Sequence, residues 1–202
     1  EALKEANAQL QERFSPELNR RPGEYLARLT GEKYTSLSLN RGLEADYALV
    51  AYGGNDSDYD WAAIDADPAG DHRPRTELPA FREKLRHTVT MLREKGIQPV
   101  LMSLPPIDAA RYLAFICRDG LRKERIMDWL GDVQMIYRHQ EMYSDAVTQL
   151  AYAEGLPLIP VREEFLNDHR LMRLIAADGI HLTMPGYERL FDTLADWLRI
   201  RV

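Results

Sequence analysis

Three short apolar runs rich in β-forming residues, Tyr47 to Tyr52, Ile97 to Leu104 and Leu156 to Val161, are each bounded by Gly, Pro or acidic residues. Runs of this length without polar alternation read as strands buried on both faces, the situation of parallel strands covered by helices. The intervening segments supply those helices. Pro79 holds a first-turn position ahead of Phe81, Leu85, Val89 and Leu92 on one face, and Gly96 ends the stripe. Val133, Ile136, Tyr137, Gln140, Tyr143, Val147 and Leu150 recur at helical spacing until Gly155 supplies a stop. A last stripe, Tyr187, Leu190, Phe191, Leu194 and Leu198, follows Pro185 and reads as core contact. Strand and helix alternate from Tyr47 onward, so the expected fold is α/β, with a mostly parallel sheet covered by helices on both faces and function at the carboxyl ends of the strands.

The first 45 residues have a different pattern. Ala2, Leu3, Ala6, Leu10 and Phe14 form one helical stripe, and Pro22 to Leu29 suggests a second short helix. Tyr34 to Leu39 alternates like a strand, but too few residues separate it from Tyr47 for an adjacent parallel pairing, which needs a crossover of about a dozen. No Gly/Ser-rich or Pro-rich linker divides the 202 residues, so a single domain is expected. A net charge of −6 works against nucleic acid and anionic membranes as partners, since both reward a basic surface. One cysteine, Cys117, excludes an internal disulfide and favours a reducing, cytoplasmic setting. The chain opens on Glu1 and not on Met, for which truncation, processing or divergence of the amino terminus is the expected account.

Two motifs carry chemistry. Asp178-Gly179-Ile180-His181 puts a carboxylate and an imidazole on one turn just ahead of the last helical stripe. A carboxylate bonded to one ring nitrogen fixes the tautomer that leaves the other free to take a proton. Asp-Gly is also ordinary turn chemistry, so the motif alone is weak. The second motif, Gly53-Gly54-Asn55-Asp56, follows the first apolar run; its glycines permit a tight turn, and the Asn55 amide is a donor for an oxygen that gains charge.

A strand ending in Gly-Gly-Asn-Asp, alternating α/β units and Asp-Gly-Ile-His before the last helix together resemble the SGNH (GDSL-like) hydrolase family of esterases and lipases, over about Leu43 to Val202. The resemblance implies a flavodoxin-like three-layer α/β/α sandwich and hydrolysis of a small carboxylic ester, with no metal or organic cofactor. It implies Asn55 as an oxyanion donor, Gly54 as a substrate contact, and Asp178 and His181 as acid and base of a Ser-His-Asp triad. Family members carry the attacking serine in a Gly-Asp-Ser block, which this sequence lacks. Ser38, in Ser38-Leu39-Asn40-Arg41-Gly42, echoes the family's Ser-Leu-x-x-Gly and is the candidate nucleophile. The rival expectation is a noncatalytic binding domain that keeps the scaffold without its nucleophile.

Other residues are read more plainly. Ser15 suits a helix boundary, Ser57 shares a turn with Asn55, and Ser103 belongs in a buried strand. Asp56, Asp58 and Asp60 alternate as calcium-loop ligands do, but Trp61 stands where such a loop needs glycine, so a solvated acidic loop is expected. His72, His87, His139 and His169 lack metal-ligand spacing and are assigned to surface or satisfied core positions. The segments Ser57 to Leu78 and Pro105 to Asp132 interrupt the α/β pattern where clefts are built, with Arg111, Tyr112, Arg118, Trp129 and Arg138 as candidate walls, against the plainer reading of each as packing or a solvated face.

Overall fold

The computed structural model describes the backbone of residues 46–201 and the side chains of residues 46–199. The helical stripes before Leu29, the Tyr34 to Leu39 segment and Ser38 lie outside the described residues. Asp46–Thr193 forms one compact unit, and Leu194 onward belongs to a second.

The chain runs through β1 (Tyr47–Val50), α1 (Trp61–Ala66), α2 (Leu78–Glu94), β2 (Gln98–Met102), α3 (Ala109–Ile116), α4 (Lys123–Leu130), α5 (Gln134–Ala153), β3 (Leu158–Ile159), α6 (Val161–Leu166), α7 (Leu171–Leu174) and α8 (Met184–Arg201). The strands are parallel in the order β1-β2-β3, with Tyr47 opposite Gln98 and Met102 opposite Ile159. Pro99 sits in the central strand without breaking the ladder. The Gln98 N–H faces β1, donating to Asp46, and the Leu101 N–H faces the other way, donating to Pro157, so the nitrogen of Pro99 points toward a stretch where β3 has not yet begun.

Val50, Leu101 and Leu104 form one core with Phe81, Leu85 and Val89 of α2 and Tyr143, Ala146, Val147 and Leu150 of α5. Val100 and Met102, whose side chains alternate with Leu101, are buried too, so the central strand is covered on both faces. This is the expected α/β architecture. The β1 run departs from expectation: Tyr47 and Leu49, which alternate onto one face of the strand, are 68% and 50% exposed, whereas Val50 on the other face is buried.

A second core gathers Trp61, Ile64, Ala109, Tyr112, Leu113, Ile126 and Ile136. Apart from Ile136 of α5, it belongs to the segments that leave β1 and β2 at their carboxyl ends. Those segments, read from sequence as interruptions, fold into α1, α3 and α4. Asp60 caps α1 by accepting from Ala63 N–H, and Asp108 caps α3 by accepting from Ala110 and Arg111 N–H. Arg122 at the start of α4 donates from Nε to Asp65 of α1 at 3.0 Å, tying the two helices together. Among the described residues no helix is long and apolar enough to cross a membrane.

Candidate active site

The turn after β1 is set by Gly53, whose φ of +126° suits glycine and whose missing Cβ would stand 2.9 Å from Leu104 Cδ1. The chain then turns back on itself: Ser57 N–H donates to Gly53 at 3.0 Å, Asp58 N–H to Asn55 at 3.3 Å, and Ser57 Oγ to the Gly54 carbonyl at 2.9 Å. Its far side is stitched to the segment before α2, with Arg75 N–H donating to Asp58 at 2.8 Å and Thr76 N–H to Asp56 at 3.1 Å. Asn55 is exposed at the tip of this loop, and no side-chain hydrogen bond engages its amide among the described residues. A donor held on a braced backbone and left unspent suits an oxygen that gains charge during reaction.

The Asp178 to His181 turn is built to the same standard. Asp178 Oδ1 accepts from the N–H groups of Ile180 and His181, both at 3.0 Å, and Oδ2 faces His181 Nδ1 at 2.8 Å. Burial acts to raise the Asp178 pKa, but the hydrogen bonds from His181 and Ile180 outweigh it and hold the carboxyl below its ordinary value. An ionised Oδ2 requires the proton on Nδ1, so Nε2 of the neutral ring is the acceptor, on a side chain 70% exposed.

Gly179 fixes where this turn sits. At φ +82° a Cβ there would lie 2.5 Å from Tyr112 N, so α3 packs directly on the glycine backbone; the Asp108 N–H donates to the Gly179 carbonyl at 2.8 Å. Arg111 reinforces the contact from the same helix, donating to the carbonyls of Met172 and Ile175. Beyond His181, Thr183 Oγ1 accepts from Gly186 N–H at the start of α8, and a Cβ on Gly186 would collide with the Leu174 carbonyl at 2.2 Å.

Both motifs open on one cavity of about 620 Å³, lined by Gly54, Asn55 and His181 and walled by Tyr59, Trp61, Ile107, Tyr112, Trp129, Leu130, Ile136 and His139 among others. This is the volume range of small-molecule sites. Of the five candidate wall residues, Tyr112 and Trp129 line it. The three arginines do not: Arg111 is committed to carbonyls, Arg118 lies over the Phe115 ring, and Arg138 pairs with Asp132.

The acidic run is not the solvated loop expected of it. Asp58 Oδ1 accepts from Trp61 Nε1 at 2.9 Å and Tyr112 Oη at 2.7 Å while Oδ2 pairs with Arg75, and Asp60 is the α1 cap. Burial together with the Asp58 carboxylate pushes the Tyr112 hydroxyl pKa strongly upward, so it stays a donor. Among the described residues no three acidic, His or Cys side chains converge as a metal site.

The described serines are each engaged elsewhere: Ser57 Oγ on Gly54, Ser103 Oγ on Ile159, and Ser144 Oγ accepting from Leu104 N–H. Ser103 is buried, as its strand context predicts. His87 and His169 are exposed and His72 bonds the Asp67 carbonyl. His139 was grouped with them on sequence, yet it lines the cavity and bonds the Asn55 loop, donating from Nδ1 to the Ser57 carbonyl at 3.0 Å. Its three- and four-residue spacing from Ile136 and Tyr143 was the available signal.

Comparison with known proteins adds the lineage. A family model described as GDSL-like lipase/acylhydrolase matches residues 3–189. No curated protein matches the chain. Among solved structures, the lipase/acylhydrolase from Enterococcus faecalis is similar at 18% identity and a TM-score of 0.50, covering 77% of this chain and 62% of that one. A GDSL-like lipase from Bacteroides thetaiotaomicron is similar at 16% identity and a TM-score of 0.50, covering 88% of this chain and 70% of that one. The chain thus spans less than two thirds of the Enterococcus protein, and at these identities the likeness speaks to the fold. With a parallel α/β sheet and a family model matched along most of its length, this chain belongs to the GDSL-like lipase/acylhydrolase family.

Proposed function

We propose that the protein is an acylhydrolase that cleaves a small carboxylic ester by serine-type acyl transfer, in a reducing, cytoplasmic setting. The observation that carries this reading is the opening of one cavity onto both Asn55 and the Asp178–His181 pair. In the reaction, His181 Nε2 takes the proton of a serine hydroxyl as its oxygen attacks the ester carbonyl. Asp178 keeps the ring in the required tautomer and stabilises the imidazolium that forms. Asn55 donates to the tetrahedral oxyanion, with Gly54 as a backbone contact beside it. The proton on His181 then passes to the departing alcohol, and water attacks the acyl-enzyme by the same route to release the acid.

Ser38 is proposed as the attacking serine on its sequence context alone. The alternative is a binding domain that keeps the scaffold without catalysis, and the engagement of Ser57, Ser103 and Ser144 elsewhere is what favours it. Labelling with a fluorophosphonate, followed by peptide mapping, separates the two. A single adduct on Ser38 that disappears in His181→Ala supports the hydrolase. An adduct on another serine moves the nucleophile, and folded protein that takes no label while turning over no ester supports the binding domain.

A further inference from the structure

One imidazole grips the Asn55 loop at two points. His139, on α5, has its Nδ1 at 3.0 Å from the Ser57 carbonyl, an atom that only accepts, so Nδ1 carries the ring proton. Its Nε2 stands 3.1 Å from Tyr59 Oη, and in the neutral ring that nitrogen accepts from the phenol. Ser57 and Tyr59 lie two and four residues beyond Asn55, and the Tyr59 and His139 rings also pack with centroids 4.9 Å apart. On its other flank the loop is stitched to Arg75 and Thr76 through Asp58 and Asp56. The Asn55 amide therefore projects from a loop clamped on two sides, one clamp being a side chain that itself faces the cavity.

We infer that His139 is a positioning residue for Asn55, holding the 53–59 loop through its Nδ1–H bond to Ser57 so that the Asn55 amide meets the developing oxyanion. The inference rests on the acylhydrolase reading for its catalytic consequence and on the two hydrogen bonds for its geometry. The oxygen that Asn55 serves gains charge only in the transition state, so loosening the loop lowers kcat and leaves KM in place. Displacement of a catalytic group by about 1 Å costs on the order of a hundredfold, so a fall of about ten- to a hundredfold is expected.

Three variants separate the bonds from the bulk. His139→Phe keeps a ring in the wall and removes both bonds. His139→Asn carries an amide N–H where Nδ1 was and retains the bond to Ser57, whereas His139→Gln reaches the Nε2 position and retains only a partner for Tyr59. The expected result is a lowered kcat at constant KM in Phe and Gln, with most of the loss rescued in Asn. In parallel, hydrogen exchange at the Ser57 and Asp58 amides, which close the loop onto Gly53 and Asn55, is expected to quicken in Phe and Gln only. Unchanged kcat in the Phe variant, or altered KM with unchanged loop exchange, overturns the inference and leaves His139 a wall residue. If the wild-type protein turns over no ester, the acylhydrolase reading fails by itself, and the exchange measurement still decides whether His139 holds the loop.

Discussion

Asp178 holds His181 twice, through the backbone and through the ring: Oδ1 accepts the histidine's own N–H at 3.0 Å while Oδ2 faces Nδ1 at 2.8 Å. The carboxylate thereby fixes both the position of the residue and the tautomer of its ring. Asp178→Asn separates these duties. An asparagine that keeps its oxygen on the two backbone N–H groups presents its amide N–H to Nδ1, which forces the ring proton onto Nε2 and abolishes the base. The fold should stand while kcat for an ester falls by about 10⁴, the scale of a reversed tautomer in a serine triad. Near-normal turnover in a folded Asp178→Asn protein would remove the pair from the mechanism.

Asn55→Ala is expected to lower kcat by about 10²–10³, or about 3 kcal/mol in barrier, with KM little changed. Because the Asn55 side chain is exposed and makes no bond among the described residues, the urea midpoint should move little. A large loss of stability would assign the residue to the loop's architecture and not to the reaction.

Two glycines of similar backbone conformation should respond differently to alanine. Gly155 has φ +61° and open space around a would-be Cβ, so Gly155→Ala carries only the left-handed penalty of about 1–2 kcal/mol. Gly179 has φ +82° and the Tyr112 nitrogen 2.5 Å away, so Gly179→Ala must also separate the turn from α3. Chemical denaturation should rank Gly179→Ala well below Gly155→Ala, and ester turnover should collapse only in the former.

Protonation gives a further test. Burial lowers the His139 pKa, with the Ser57 carbonyl opposing in part, so the folded protein binds this proton less readily than the unfolded chain does. Stability from the neutral ring is therefore complete above the unfolded histidine value of about 6.5 and is lost as pH falls from there toward the lowered folded value. Asp178 is also depressed, so its contribution persists into more acid solution and disappears only below the ordinary carboxylate range of about 4. Unfolding free energy followed from pH 7 to pH 5 should decline in the wild type and decline less in His139→Asn.

The parts of this fold that sequence reveals are those repeated along it. The stripes of α2 and α5 each extend over several turns, and β2 is apolar from Pro99 to Met102, so each element declares its pattern. The helices α1, α3 and α4 have six to eight residues, too few to establish a period, and the Asp caps of α1 and α3 read equally well as turn residues. The same logic separates the site residues. Asp178 and His181 are three positions apart, so their contact is local and legible. His139 reaches Ser57 across 82 positions, a pairing that depends on α5 returning over the carboxyl end of β1. The ion pairs and hydrogen bonds that occupy Arg111 and Asp58 are likewise products of tertiary packing, which is why sequence leaves Arg111 open between cleft wall, packing and solvated face and makes a solvated loop the natural reading of Asp58.

The seat that α3 offers to Gly179 bears on how such a protein can diversify. The segment after β2 contributes Ile107, Tyr112, Trp129 and Leu130 to the cavity and, through Asp108 and Tyr112, also braces the turn that carries His181, the proposed base. On the acylhydrolase reading, selectivity and basicity are thereby mortised into one joint. Exchanges at Trp129 or Leu130, away from that joint, are free to reshape what enters, whereas lengthening or shortening the chain between Pro105 and Tyr112 would retune the catalyst whenever it retuned the guest.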